Sequence, residues 1–464
     1  MKNFIALLLS LFIGSSIAGQ EVKEFSLKEA KSFALENNYD IKNAKTDVAI
    51  ARKRVNETLA TGLPQINGSI SNNNYINIPT TLLPDFITPT IFQVNEQYFG
   101  LTPVQDPGPT QFFPAQFGTK YNATASISAS QLIFSGEYII GVKAAQTFLE
   151  KTRIEYLKSE LDVEDAVARS YYFVLVAEEN QRILQQNLES LRRLAEQTRE
   201  TYKLGFIEET EADQVDILVG RLEAQLLSLQ NQTKIAYSSL KHSLGLQLQD
   251  SIRLTDDLDS QLKQLEYELL LQDPFDYNEN IDFRILIKQK EIAMAQVSRA
   301  RAAYLPSINA FFSAQTNAMR SDYNFFDKDE PWYPTTVWGF EMNIPIFSSG
   351  NRAAKLQQAK LQLKQINEIG NKLKSGLAIQ VSTARNDFRN AYLIYKNKID
   401  NLQLAETIYK KTEEKFSEGM SSSIDLLQMN NQFLNAESEY INAILTLLDN
   451  KLTLEKLLAT EGEE

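Results

Sequence analysis

The sequence predicts a membrane protein of mixed α and β class, built from one architecture written twice. Three observations carry that prediction. First, a shift of 214 residues lays Gly205 on Gly419, Glu211 on Asp425, Gln214 on Gln428, Glu223 on Glu437, Leu240 on Leu454 and Leu244 on Leu458. Upstream the shift becomes 242, and Leu63 to Ser71 (LPQINGSIS) falls on Leu305 to Ser313 (LPSINAFFS). A period this long marks two halves of a duplication rather than a solenoid. Second, seven of the 13 prolines lie between Pro79 and Pro114, none from Ala115 to Asp273 and none from Ile346 onward. Proline breaks helix interiors, so the two empty tracts read as long helices. Third, four short segments alternate apolar and polar residues with the period of a strand.

Taken in order, residues 1–18 read as a secretory signal peptide. Lys2 is its basic start, Phe4 to Ile13 its apolar core, and Ser16 and Ala18 the small residues before a cut at Gly19. A retained anchor is the alternative, but the apolar run is short and ends in Gly14, Ser15 and Ser16. No other segment has the 18 or more consecutive apolar residues of a membrane-spanning helix.

The first repeat is 19–250. It opens with a helix from Ser26 to Leu59, then strands at about 64–76 and 119–134 joined by a loop rich in proline and aromatics. A helical hairpin follows at about 137–247. Its first arm, Glu137 to Lys203, would reach roughly 100 Å at 1.5 Å per residue. Leu184, Leu188, Leu191, Ala195, Thr198 and Tyr202 step by 4 and 3 along it, the seam of a coiled coil. Gly205 suits the left-handed position after the helix. Thr210 and Asp213 have capping-box spacing for the returning arm.

Residues 251–280 form an acidic connector. The second repeat, 281–464, has a helix to Ala303, strands at about 306–317 and 336–347, and a hairpin at about 351–460. Its seam is Leu402, Ala405, Tyr409, Thr412 and Phe416, its turn carries Gly419, and Ser422 with Asp425 caps the return. The second strand loop is the shorter, which accounts for the change of offset.

The strands set a problem of closure. Tyr121, Ala123, Ala125, Ile127, Ala129, Gln131 and Ile133 alternate with Asn122, Thr124, Ser126, Ser128 and Ser130. Trp338, Phe340, Met342, Ile344 and Ile346 alternate with Gly339, Glu341 and Asn343. An ordinary soluble sheet fits the alternation too. Strands about ten residues long and only weakly hydrophobic favour a barrel. So does an aromatic girdle of Tyr75, Tyr121, Tyr323, Trp332, Tyr333 and Trp338, and so does the leader. In lipid the sheet must close, because a bilayer cannot satisfy an open edge. Four strands are too few; three copies supply twelve. The long helices are too polar and too long for a core of about 30 Å and must stand in water.

Composition removes other classes. The chain has 47 basic and 59 acidic residues, net −12, which argues against nucleic acid as a partner. It has no cysteine and a single histidine, His242, set in a helical pattern. Histidine-based zinc sites and Ser-His-Asp triads therefore lack raw material. No catalytic constellation stands out among the carboxylates. The expectation is a protein that is not an enzyme and carries no cofactor and no metal.

The order of elements resembles the TolC-type outer-membrane efflux proteins. The resemblance lies in the opening SLKEAKSFALENNYDIKNA (Ser26 to Ala44), the LP-strand, the strand ends IFSG (Ile133 to Gly136) and IFSSG (Ile346 to Gly350), and the long helix with its glycine turn. It covers essentially the whole mature chain. It implies a homotrimer with a twelve-stranded barrel in the outer membrane of a Gram-negative bacterium, four strands per chain, bounded by outer-membrane lipid. A long helical barrel would continue into the periplasm, its far end meeting a periplasmic adaptor and an inner-membrane transporter. The implied function is the exit channel of a tripartite export system, most simply for small toxic compounds. The alternatives are peptide or protein secretion of type I, and an exported coiled-coil scaffold that conducts nothing.

The same resemblance makes Leu204-Gly205-Phe206 and Glu418-Gly419-Met420 the periplasmic mouth, with Leu204, Phe206 and Met420 as adaptor contacts. Asp425, with Glu211 as its counterpart and Gln428 one turn on, marks the constriction. Three copies of Asp425 around one axis would attract cations and repel one another. Helix capping by the same acid is compatible with that role. The family's usual second aspartate is Gln428 here, and Ser421 stands where a basic residue is common, which puts a salt-bridge lock at the mouth in question.

Overall fold

The computed structural model describes residues 22–84, 94, 97–100, 112–263, 267–272 and 274–459. Residues 1–21, which include the expected signal peptide, the middle of the first loop and residues 460–464 lie outside them. In chain order the elements are β1 (Lys23–Phe25), α1 (Leu27–Asn37), α2 (Tyr39–Ala60), β2 (Gln65–Asn74), β3 (Thr80–Pro84), β4 (Phe112–Gln116), β5 (Tyr121–Ser135), α3 (Gly136–Lys203) and α4 (Glu209–Leu244). The second half continues with β6 (Ile252–Leu254), α5 (Leu258–Lys263), α6 (Tyr267–Gln272), α7 (Ile281–Ala302), β7 (Ser307–Arg320), β8 (Tyr333–Asn343), α8 (Asn351–Ser417) and α9 (Ser423–Leu458). Among the described residues no helix is long and apolar enough to cross a membrane.

The chain divides into two compact units, residues 1–53, 146–294 and 360–464 in one, 54–145 and 295–359 in the other. The first unit holds the helical hairpins. The predicted seam is buried: Leu184, Leu188, Leu191, Ala195 and Thr198 of α3, with Ala405, Tyr409 and Phe416 of α8. Val215, Leu218 and Leu222 of α4 and Leu426 and Phe433 of α9 complete one cluster. At about 25 cal/mol per Å² of apolar surface, such seams are the main attraction between the helices.

The connector is built into this unit. β6 pairs in parallel with β1, Lys23 opposite Ile252. Leu254 and Leu258 join a cluster with Val163, Val167 and Tyr171 of α3. Tyr267 stacks on Tyr392 at 4.0 Å. Asp256 latches the arrangement: its Oδ2 accepts from the Leu27 backbone N–H at 2.7 Å and from the Tyr171 hydroxyl at 3.0 Å. Strands of three residues leave no periodicity to read, so this pairing is invisible in the sequence.

The second unit holds an antiparallel sheet in the order β2-β5-β7-β8. Its ladders run from Gln65↔Ser130 to Asn74↔Tyr121, from Tyr121↔Arg320 to Ser135↔Ser307, and from Ser307↔Asn343 to Asn317↔Tyr333. β5 matches its expected bounds to within two residues, β7 runs three residues past its expected end, and β5 carries an irregularity between Leu132 and Phe134. β8 begins earlier than predicted and stops at Asn343, short of Ile344 and Ile346. Pro345 is the reason: it has no N–H to give a ladder, and its carbonyl accepts from Arg352 Nη1 at 2.6 Å.

Three expectations need correction. The helix read from Ser26 to Leu59 is two helices. Asn38 leaves the helix at ψ 142°, its Oδ1 caps the Asp40 N–H at 2.7 Å and its Nδ2 donates to the Ser243 carbonyl at 2.7 Å. The first strand loop is not all loop, because β3 and β4 pair within it. Thr210 and Asp213 do not cap α4. That helix starts from Glu208 with no side-chain cap, and Asp213 is drawn instead to Arg199 at 3.1 Å across the hairpin.

Candidate functional site: the hairpin tips and the two-faced sheet

Both hairpins turn in the same way. Gly205 (φ 78°) and Gly419 (φ 71°) take the left-handed conformation that side chains disfavour. The Gly205 N–H donates to the Tyr202 carbonyl and the Phe206 N–H to that of Thr201; Gly419 and Met420 repeat this on Phe416 and Lys415. Each is a Schellman turn, which satisfies the last carbonyls of the helix. The turns leave Leu204 at 72%, Phe206 at 78% and Met420 at 65% exposure.

Asp425 stands at the third position of α9. Ser422 Oγ accepts from its N–H at 3.2 Å, and the Ser422 N–H and hydroxyl donate to Asp425 Oδ2 at 3.2 and 2.7 Å. This is a capping box. The Ser421 hydroxyl reaches the same oxygen at 3.4 Å. The Ser422 bonds, hydroxyl first, hold the carboxyl below its ordinary value, so it stays ionised into mildly acidic solution. Glu211 holds the equivalent place in α4 and is half-buried, without the box. Gln428 is exposed, whereas its counterpart Gln214 accepts from the Ser423 hydroxyl at 2.8 Å and so ties α4 to α9.

Further from the tips, Arg221 Nη1 donates to Asn431 Oδ1 at 2.7 Å, again between α4 and α9. Glu437 of α9 is only 3% exposed. Its Oε2 accepts from Asn187 Nδ2 of α3 at 3.2 Å, while its Oε1 has no partner among the described residues. Burial, with the charge of Glu179 second, pushes its carboxyl up to about 7. No residue type singles out this site in the sequence. The signal is in the spacing: Leu426, Asn430, Phe433, Glu437, Ile441 and Ile444 step by 4 and 3, which sets Glu437 in an apolar seam.

The sheet has two distinct faces. On one, cross-strand rows read Ile66–Ala129–Phe312–Trp338, Gly68–Ile127–Ala314–Thr336 and Ile70–Ala125–Thr316–Pro334. On the other they read Asn67–Ser128–Ser313–Val337, Ser69–Ser126–Gln315–Thr335 and Ser71–Thr124–Asn317–Tyr333. The Ser69 and Ser126 hydroxyls meet at 2.8 Å on that second face. None of these rows carries a charge.

The six girdle aromatics do not gather on one rim. Tyr121 and Tyr323 meet edge to face at 5.5 Å at the loop end of the sheet. The Tyr75 N–H donates to the Lys120 carbonyl there, and Trp332 and Tyr333 enter β8 at the same end. Trp338 pairs with Phe312 instead, five positions along β8 from Tyr333, which is about 17 Å at 3.4 Å per residue. Its odd separation from Tyr333 also turns it to the other face.

A sequence model of the outer membrane efflux protein family matches residues 32–246 and 278–460. The chain belongs to this family. It is 24% identical over 454 residues to the solvent efflux pump outer membrane protein SrpC of Pseudomonas putida, across 94% of this chain and 85% of that one. Outer membrane protein TolC of Salmonella enteritidis is 21% identical over 357 residues, 75% and 71% of the two chains. Among solved structures, CusC, described for its folding and transmembrane channel formation, superimposes with a TM-score of 0.71 at 17% identity, over 94% and 92% of the chains. This family comprises outer-membrane efflux channels, not enzymes. The chain is thus a TolC-type exit component of a tripartite export system, in the Gram-negative outer membrane with a periplasmic extension.

Proposed function

We propose that three copies of this chain close a twelve-stranded barrel and export small, largely apolar toxic compounds through it. The observation that carries the reading is the two-faced sheet. Its apolar rows suit lipid, its neutral hydroxyl and amide rows suit a water-filled pore, and its edge strands β2 and β8 require neighbours. The two repeats, 19–250 and 281–464, then form six near-equal units around one axis, with 251–280 as an equatorial collar outside the helices and 1–18 removed on export. Leu204, Phe206 and Met420 dock the adaptor's helices. Asp425 rings the periplasmic constriction, with Glu211 beside it. A relative named for solvent efflux supports this cargo class.

Two measurements test the reading. The purified protein is expected to form a three-fold tube in electron microscopy and to conduct in planar bilayers. A monomer that never conducts, even as Asp425→Ala with Glu211→Ala, supports a non-conducting scaffold instead. Deleting the gene is expected to sensitise cells to lipophilic toxicants while leaving the set of secreted polypeptides intact. A missing secreted polypeptide moves the assignment to type I secretion.

A further inference from the structure

A groove of about 560 Å³ lies in the helical unit, between α3, the start of α7, α8 and the end of α9. Sites for small organic molecules run to roughly 300–1,000 Å³. Its apolar walls are Leu161, Ile281, Ile379 and Leu457. Lys158, Asp162, Asp165 and Arg169 line it from α3. They stand roughly 180° around the helix, at 3.6 residues per turn, from Val163, Val167 and Tyr171, which pack under the connector. The groove therefore lies on a different face of α3 from the one packed under Leu254 and Leu258, with Asn280 at the end of the connector on its rim.

Its cations are all engaged. Lys158 Nζ binds Asp282 at 2.5 Å. Arg169 binds Asp165 at 3.0 Å and also Asp449. Lys456 binds Asp162 at 2.8 Å and Asp165 at 3.3 Å. Asp387 of α8 is different. It lines the groove, is exposed, and has no ion-pair or hydrogen-bond partner among the described residues. One uncompensated carboxylate thus faces apolar walls in a cavity of drug-like size. An inorganic anion finds no free cation here, and a neutral hydrocarbon leaves the carboxylate unanswered. A cation with a greasy body satisfies both features.

We propose that this groove binds a lipophilic organic cation, with Asp387 as its counter-ion and Leu161, Ile281, Ile379 and Leu457 as its walls. Its role as a waypoint for cargo rests on the channel reading. Binding itself does not rest on that reading.

The test uses full-length protein in amphipol and two probes of equal shape and opposite charge, tetraphenylphosphonium and tetraphenylborate, by calorimetry. The expected result is saturable phosphonium binding at one site per chain, with the borate at least about tenfold weaker. Asp387→Asn is expected to weaken phosphonium binding about tenfold and leave the borate unchanged. Ile379→Asn, at a second exposed wall residue, is expected to weaken the phosphonium as well. Equal affinity for the two probes, or an unchanged Kd in Asp387→Asn, overturns the proposal. Neither outcome depends on conductance, so a silent bilayer recording and a silent binding experiment fail different claims.

Discussion

Glu223 and Glu437 fall on one another when the sequence is shifted by 214 residues, and they meet opposite environments. Glu223 is exposed and takes an ion pair with Arg192 at 2.6 Å. Glu437 is buried in the seam, half-satisfied by Asn187. Its folded pKa of about 7 lies above the ordinary 4.5. Between those values the folded state binds the extra proton, so stability falls as pH rises through that window and levels off above it. The shift corresponds to about 3 kcal/mol as an order of magnitude. Glu437→Gln is expected to raise the thermal midpoint at pH 8 and change it little at pH 4.5. An equal effect at both pH values contradicts the burial argument. Asp425 shifts the other way: its Ser422 bonds favour the charged form, and that help is lost as pH falls through its lowered pKa. In bilayers, Asp425→Ala is expected to raise single-channel conductance and weaken block by divalent cations. Unchanged conductance and block remove Asp425 from the gate.

Elements show where local signals suffice and where they do not. The hairpin turns were legible because a glycine after an amphipathic run has one common use, and both glycines are left-handed. The cap at Ser422 was legible for the same reason: the acid three residues on is its partner. The cap at Thr210 was misread because the helix already starts at Glu209, and Arg199, 14 residues before Asp213 on the other arm of the hairpin, engages its carboxylate. The break at Asn38 and the β1–β6 pair depend on partners about 200 residues away, which no window of sequence contains. Gly245 joins two such distant pieces. It ends α4 at φ 74°, and a Cβ there would stand 2.4 Å from the Asn37 carbonyl oxygen. Gly245→Ala is therefore expected to cost about 2 kcal/mol or more and lower the thermal midpoint, whereas Gly220→Ala, with open space around it, is expected to be neutral or stabilising. Equal effects of the two substitutions contradict this account of Gly245.

At the scale of the whole molecule the alternation was legible, since it is a repeat of residue type. The strand order β2-β5-β7-β8 was not, because alternation assigns faces but no neighbours. That order leaves β2 and β8 as the edges, which makes closure testable. Ile70 on β2 is 89% exposed, and Thr336 lies on the same face of β8. The chain has no cysteine of its own, so Ile70→Cys with Thr336→Cys places one thiol on each edge. Treated in membranes with a flexible bis-maleimide about 10 Å long, a span of two strand spacings, the double variant is expected to give a ladder on denaturing gels that stops at three chains. Each single variant should remain a monomer, because equivalent edges of three-fold copies do not meet. A ladder ending at two, or running past three, contradicts the twelve-stranded barrel while leaving the fold of the single chain intact.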